Sequence, residues 1–197
     1  MSEIKANKLS PATGTAIQFG DSGDTFTVPS GATIVNSGTA TGFGGGKVLQ
    51  VVSTEKTAIQ TGNANSWVDI MTVTITPSAT SSKVYVMASL TYNGPTTNNS
   101  MIRMARDSTA IAIGDANSSN QRAYSHMMRD NTYGMQVAGM TYLDSPSSTS
   151  ALVYKIQIMS SADTPTWYVN TSAGTTGVTN SSTARGFSAI TVMEIGA

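Results

Sequence analysis

"KVYVMASLTY", Lys83 to Tyr92, is the stretch that decides the fold class. Val84, Val86, Ala88, Leu90 and Tyr92 fall on one side of an extended chain, and Tyr85, Met87, Ser89 and Thr91 fall on the other, because strand side chains alternate. One side is strongly apolar and the other mixed, which is the mark of a strand buried on a single face. "ALVYKIQIM" (Ala151 to Met159) repeats the pattern, with Leu152, Tyr154, Ile156 and Ile158 set against Val153, Lys155, Gln157 and Met159. Seven more runs have strand length and a β-branched or aromatic bias: "KVLQVVS", "VDIMTVTI", "MIRMAR", "TAIAIG", "MQVAGMTYLD", "TWYVN" and "GFSAITVMEI". Gly, Pro, Asn and Ser clusters separate them. Residues 47–197 are therefore predicted to form an all-β head, an antiparallel sandwich of the jelly-roll type.

Composition agrees and excludes several functions. Ser and Thr supply 55 residues, Gly 18, and only 11% are charged, a profile of short strands and tight turns. The formal net charge is zero, so the long-range positive field of a nucleic-acid binder is missing. Cysteine is absent, which removes disulfides, thiolate nucleophiles and thiolate metal sites together. No run reaches the roughly 20 apolar residues of a spanning helix, so no membrane insertion is expected. "MSEIKANKLSPATG" lacks the apolar core of a secretory signal, which predicts synthesis in the cytoplasm without a signal peptide.

The first 42 residues have a different texture. Isolated apolar residues, Ile17, Phe19, Phe26, Val28, Ile34 and Val35, are spaced by small and polar ones. One copy of such a segment cannot bury enough surface to offset the entropy of ordering it. Turn signals recur at "DSGD" (Asp21–Asp24), "PSG" (Pro29–Gly31) and "NSG" (Asn36–Gly38), bracketing the strand-like pieces "TFTV" and "ATIV". Residues 1–42 are thus expected to form an extended β-stalk in which three chains intertwine around Ile17, Phe19, Phe26, Val28 and Ile34. The alternative is a flexible tether. Residues 43–46 form the expected hinge, with Gly44, Gly45 and Gly46 free to change backbone direction. A phosphate loop does not fit "GFGGGKV": the glycine spacing is one residue short, Val48 stands where a hydroxyl is needed, and a strand follows instead of a helix.

Catalytic signals are weak. His126 is the single imidazole, no GxSxG elbow accompanies it, and a lone histidine beside two methionines reads as a packing or contact residue. Carboxylate pairs drawn from Asp107, Asp115, Asp130, Asp144 and Asp163 show no favoured spacing, and such aspartates beside Ser, Asn or Pro usually shape turns. Asp21 and Asp24 read the same way, since a calcium loop needs a denser ligand pattern. No cofactor and no metal are expected. Glu194 alternates with Ile190 and Val192, which places a carboxylate among apolar residues, either at an exposed edge or paired with a cation near a trimer axis.

Binding is expected in the long loops Tyr92–Ser100, Gly114–Gly134 and Asn170–Gly186. Asn98, Asn99, Arg122, Tyr124, His126, Arg129 and Tyr133 combine cations, rings and amides suited to a sugar, a lipopolysaccharide phosphate or a protein neighbour. The competing reading makes them a subunit interface.

The long N-terminal string "KANKLSPATGTAIQFGDSGDTFTVPSGATIVNSGTATGFGGGKVLQVV", with "ITPSATSSKVYVMASLTY" and "TYLDSPSSTSALVYKIQI", resembles virion structural and tail fibre proteins of bacteriophages, those of marine cyanophages especially. The resemblance implies a homotrimer on the virion, attached to another virion protein through its N-terminal segment, with the head pointing outward. It carries no catalytic motif. Host adsorption through the head is the function implied, by contact with a surface glycan or protein. A capsid decoration or cement protein is the alternative, and a small polysaccharide depolymerase a third.

Overall fold

A computed structural model of the chain describes residues 11, 13–33, 35, 47–95, 99–127, 134–161, 166–173 and 184–196. They fall into two units, one within Met1–Phe43 and one within Gly44–Ala197. Ile34 and the hinge glycines Gly44, Gly45 and Gly46 lie outside the described residues.

In the second unit each run of alternating residues becomes a strand. In chain order these are β1 (Val48–Lys56), β2 (Gln60–Gly62), β3 (Val68–Ile75), β4 (Lys83–Asn93), β5 (Ser100–Arg106), β6 (Thr109–Ile111), β7 (Ser125–Met127), β8 (Gln136–Asp144), β9 (Leu152–Ser160), β10 (Trp167–Val169) and β11 (Ser188–Ile195). The described residues contain no helix. All pairings are antiparallel and make two sheets.

Sheet A is organised by β4. β8 pairs along one edge of it, from Val84↔Asp144 to Tyr92↔Gln136. The other edge is shared: β11 takes Lys83 to Ser89, and β10 takes Tyr92 and Asn93. β1 lies outside β11 and β2 outside β10. Sheet B runs β3–β9–β5, and the far edge of β5 is divided between β6 and β7. The faces read from sequence are the ones buried between the sheets. Val84, Val86, Leu90, Ile156 and Ile158 are at most 1% exposed. Each such side chain contributes about 1.5–3 kcal/mol relative to exposure.

Sharing one edge of β4 needs a polar joint, and Asn170 supplies it. Its backbone adopts a left-handed conformation, φ 57°, which asparagine tolerates better than most residues. Its amide donates to Thr91 O (2.9 Å), and its side-chain nitrogen donates to Lys56 O (2.7 Å). Ser188 Oγ donates to Asn170 Oδ1 (2.7 Å) and accepts from the Thr91 amide (2.9 Å). Asn170 and Ser188 are fully buried, so these bonds replace water for backbone groups that the change of strand would leave unpaired. Close approach matters here too. A Cβ on Gly186 would lie 2.5 Å from Thr91 Cγ2, and one on Gly62 would lie 2.4 Å from the Trp167 ring.

Two buried acids tie the layers. Asp144, at the end of β8, accepts from Arg106 and from Tyr154 Oη (2.7 Å), both on sheet B, and so joins the sheets. Partial burial works against the Arg106 charge, and the Asp144 partner more than restores it. Glu194 corrects its sequence reading: it is not at an edge, and among the described residues its bonds come from neutral donors. It lies on β11 between β1 and β4 and is 1% exposed. Ser78 N (2.7 Å), Ser78 Oγ (2.6 Å) and Gln50 Nε2 (2.6 Å) donate to it. Alternation put the carboxylate inside correctly; its partners, being neutral donors from β1 and the β3–β4 turn, carry no charge signal.

Among its described residues the first unit has its predicted turns and, as one copy, no strand. Turns form where "DSGD" and "PSG" predict them, with Asp24 N donating to Asp21 O and Ala32 N to Pro29 O, both at 3.1 Å. The Asp24 carboxylate accepts the Asp21 amide (2.8 Å) and so closes the turn. "TFTV" nevertheless forms no strand, because an isolated extended segment has no neighbour to complete its hydrogen bonds. Phe19 and Phe26 meet across the turn with ring centroids 5.9 Å apart, yet they remain 62% and 68% exposed.

Burial alone would raise the pKa of Glu194. The Ser78 and Gln50 bonds outweigh that, helped by the Ser82 hydroxyl buried alongside but outside hydrogen-bond geometry, and bring the pKa to about 2 against an ordinary 4.5. A depressed folded-state pKa stabilises fully above the unfolded value, so this contribution is present above about pH 4.5 and is lost as pH falls toward 2. Glu194→Gln is expected to cost about 1–3 kcal/mol at pH 7 and to flatten stability over that window. Urea unfolding at a series of pH values checks both.

Candidate functional site

Because β9 is central in sheet B, its outward residues meet those of two neighbours. Register places Asp69 of β3 and Arg103 of β5 on either side of Gln157. A β-bulge at Ile70 shifts the alternation of β3, so Ile70 and Met71 both turn inward and Asp69 is left outside. Gln157 Nε2 donates to Asp69 Oδ1 (2.6 Å), and its Oε1 accepts from Arg103 Nε (2.7 Å). One rung away, Lys155 Nζ donates to Asp69 Oδ2 (2.8 Å). Trp67, at the entrance to β3, completes the group: Arg103 Cζ lies 4.1 Å from the centre of its ring.

The electrostatics are lopsided. Burial pulls the Asp69 pKa upward, and bonds from Lys155 and Gln157 with the charges of Lys155 and Arg103 bring it below its ordinary value. Arg103 is lowered, chiefly by burial and only partly offset by Asp69. Lys155 thus serves Asp69, and Arg103 is left as a cation without a counter-charge in contact. Its bond to Gln157 uses Nε, and its terminal nitrogens have no hydrogen-bond partner among the described residues.

His126 shares this outer face. It pairs with Met101, which precedes Arg103 by two residues on β5, and it is exposed. The other loop candidates are dispersed. Arg122 Nε donates to Gly114 O (2.6 Å), folding onto its own loop. Tyr124 Oη accepts the Thr141 amide on the free edge of β8 (3.4 Å), and Asn99 exchanges bonds with Ser161. Asn98, Arg129 and Tyr133 lie outside the described residues. Sequence reasoning overlooked Trp67, Asp69, Arg103, Lys155 and Gln157. The outward set of β9 was visible in the alternation, but the adjacency of β3, β9 and β5 was not. Among the described residues no three His, Cys, Asp or Glu side chains group as a metal site.

The opposite outer face, on sheet A, has other chemistry. Cross-strand rows run Val51–Met193–Tyr85–Leu143, then Ser53–Thr191–Met87–Thr141, then Glu55–Ala189–Ser89–Gly139. Met87, Ser89, Gly139, Thr141, Ala189 and Thr191 line an open hollow of about 270 Å³. Val51, Met87, Val137 and Leu143 stand exposed around it, and the charged residues Glu55 and Lys83 lie at its margins. No atom lies within 4 Å of a Cβ built on Gly139, so the small residues there leave open space.

No family model matches the chain, and no curated protein matches it.

The two tryptophans differ in what they hold. Trp167 is 1% exposed and packed on Gly62, whereas Trp67 is half-buried and contacts the Arg103 guanidinium. Trp167→Ala is expected to cost about 3–5 kcal/mol, and Trp67→Ala about 1 kcal/mol. Comparable losses in denaturant unfolding would make Trp67 a structural residue and remove it from the site.

Proposed function

We propose that the protein is a non-enzymatic structural component of a bacteriophage virion, a homotrimeric appendage whose head contacts the host surface in adsorption. The observation that carries this reading is the contrast between the outer faces of the head. Exposed apolar side chains around a shallow hollow on sheet A suit a subunit contact, while sheet B offers an aromatic, amides and an uncompensated cation for a ligand. The strand order supports a jelly roll: β1 and β2 together, then β11 and β10 together, β4 and β8 in one sheet, with β3, β9, β5 and the β6/β7 pair in the other. Phe19, Phe26 and Val35 of the first unit add exposed apolar surface that further copies of the segment would cover. The sequence resemblance to phage virion proteins supplies the particle.

Sedimentation of the purified full chain is expected to give three chain masses. Gly139→Lys adds a charge in open space, so it should leave the circular dichroism spectrum of the head unchanged while lowering the mass toward that of one chain, with the unfolding midpoint falling only by the lost association. A wild-type protein that sediments as a monomer at micromolar concentration overturns the reading. Imaging of labelled particles separates the appendage from the cement alternative: a few copies on the tail or baseplate support adsorption, and hundreds over the shell support decoration.

A further inference from the structure

The geometry points to a subsite for an acidic sugar on the outer face of sheet B, with the sugar's carboxylate on the free edge of Arg103 and its ring against Trp67. The inference names the ligand of the face used in adsorption and rests on that reading for its setting. Three observations carry it. Arg103 is held by one bond from Nε to Gln157 (2.7 Å), and its Cζ lies over the Trp67 ring, 4.1 Å from the ring centre, so the guanidinium is placed from two sides. Its terminal N–H groups then form a fork with no hydrogen-bond partner among the described residues, the shape that matches a carboxylate in two parallel bonds. The nearby acid does not occupy the fork: Asp69 is bonded by Lys155 and Gln157, and its charge only partly offsets the effect of burial on Arg103.

A ladder whose purpose was only to hold strands together would pair its cations with its acids. Here one acid faces two cations, and the surplus cation is the one seated on an aromatic ring. A saccharide presents an apolar C–H face and, in a uronic acid, a planar carboxylate on the same ring. Indole and fork together read both features, whereas a neutral hexose satisfies only the first and a free phosphate only the second.

Tryptophan fluorescence of the purified full-length protein, titrated with D-glucuronate, D-glucose and inorganic phosphate, tests the proposal. Trp167 is buried, so a ligand-dependent change reports Trp67. Saturable binding of glucuronate is expected, at least about tenfold tighter than glucose or phosphate, as one charge-assisted pair provides. Arg103→Gln should weaken it about tenfold, and Arg103→Lys, which keeps the charge without the fork, nearly as much. If Arg103→Gln disturbs the fold by circular dichroism, Arg103→Lys and Trp67→Phe decide. Equal affinity for glucose, tightest binding of phosphate, no saturation with glucuronate, or an unchanged affinity in the Arg103 variants each overturns the subsite. The same protein is then applied to host cells: cell binding without glucuronate binding sinks the subsite and leaves the adsorption reading, while glucuronate binding by a protein absent from particles does the reverse.

Discussion

The sharing of one β4 edge by two strands is the constraint on which the head depends. A strand of eleven residues is too long for β11 alone, which pairs only as far as Ser89, so β10 must complete the edge. A change of strand in mid-sheet leaves backbone donors and acceptors facing nothing, and each orphan costs about 1–3 kcal/mol when buried. Asn170, Ser188 and Thr91 meet them inside the protein. The same device repeats outside it, where β1 gives way to β2 and the Asn170 side chain reaches the carbonyls of Lys56 and Ala58 between them. Sheet A therefore behaves as four strands wide although six segments build it.

The buried acids extend that logic, Asp144 from one layer to the other and Glu194 from strands to a turn. Asp144 links sheet A to Arg106 and Tyr154 of sheet B, and Glu194 links β1, β11 and the turn before β4. Apolar contact alone lets two sheets slide, since it has no direction. Hydrogen bonds to a fixed carboxylate have one, so they set the relative position of the sheets even where their net free energy is small. The outer faces are then free of structural duty, and each is able to specialise.

How much of this could be read from the sequence follows from the range of each signal. Alternation is local, so nine of the eleven strands were legible, with buried faces from Val84 to Leu90 and from Leu152 to Ile158. β2 and β7 have three residues each and exist because β10 and β5 offer them an edge; "QTG" and "SHM" hold no intrinsic strand signal. Turn chemistry in the first unit was legible for the same reason as the strands: Asp21 to Asp24 closes on itself. Whether "TFTV" becomes a strand depends on a neighbouring edge to complete its hydrogen bonds, which local sequence does not display. The site suffered most. Trp67, Asp69, Gln157 and Arg103 are separated by up to 90 positions and meet only through the order β3–β9–β5 and the bulge at Ile70.

The contrast between the outer faces bears on what kind of binder this architecture suits. A single guanidinium fork and half an indole on an open sheet offer few contacts, and a ligand held there escapes easily. Loops folded into a deep pocket would remedy that, yet Arg122 is bonded to Gly114 of its own loop and Tyr124 to Thr141 of β8. The remaining route to useful strength is repetition. If three heads are carried on one particle, as proposed, later contacts become intramolecular events, and effective concentration then multiplies an affinity that no individual site possesses. Rigidity matters for that gain, because sites that wander relative to one another lose it. The buried ties at Asn170, Asp144 and Glu194 hold strands in place within a head, and in the proposed trimer the exposed apolar side chains of sheet A would fix one head against the next. Under that proposal, a weak site and a sandwich that associates with its own copies each compensate for what the other lacks.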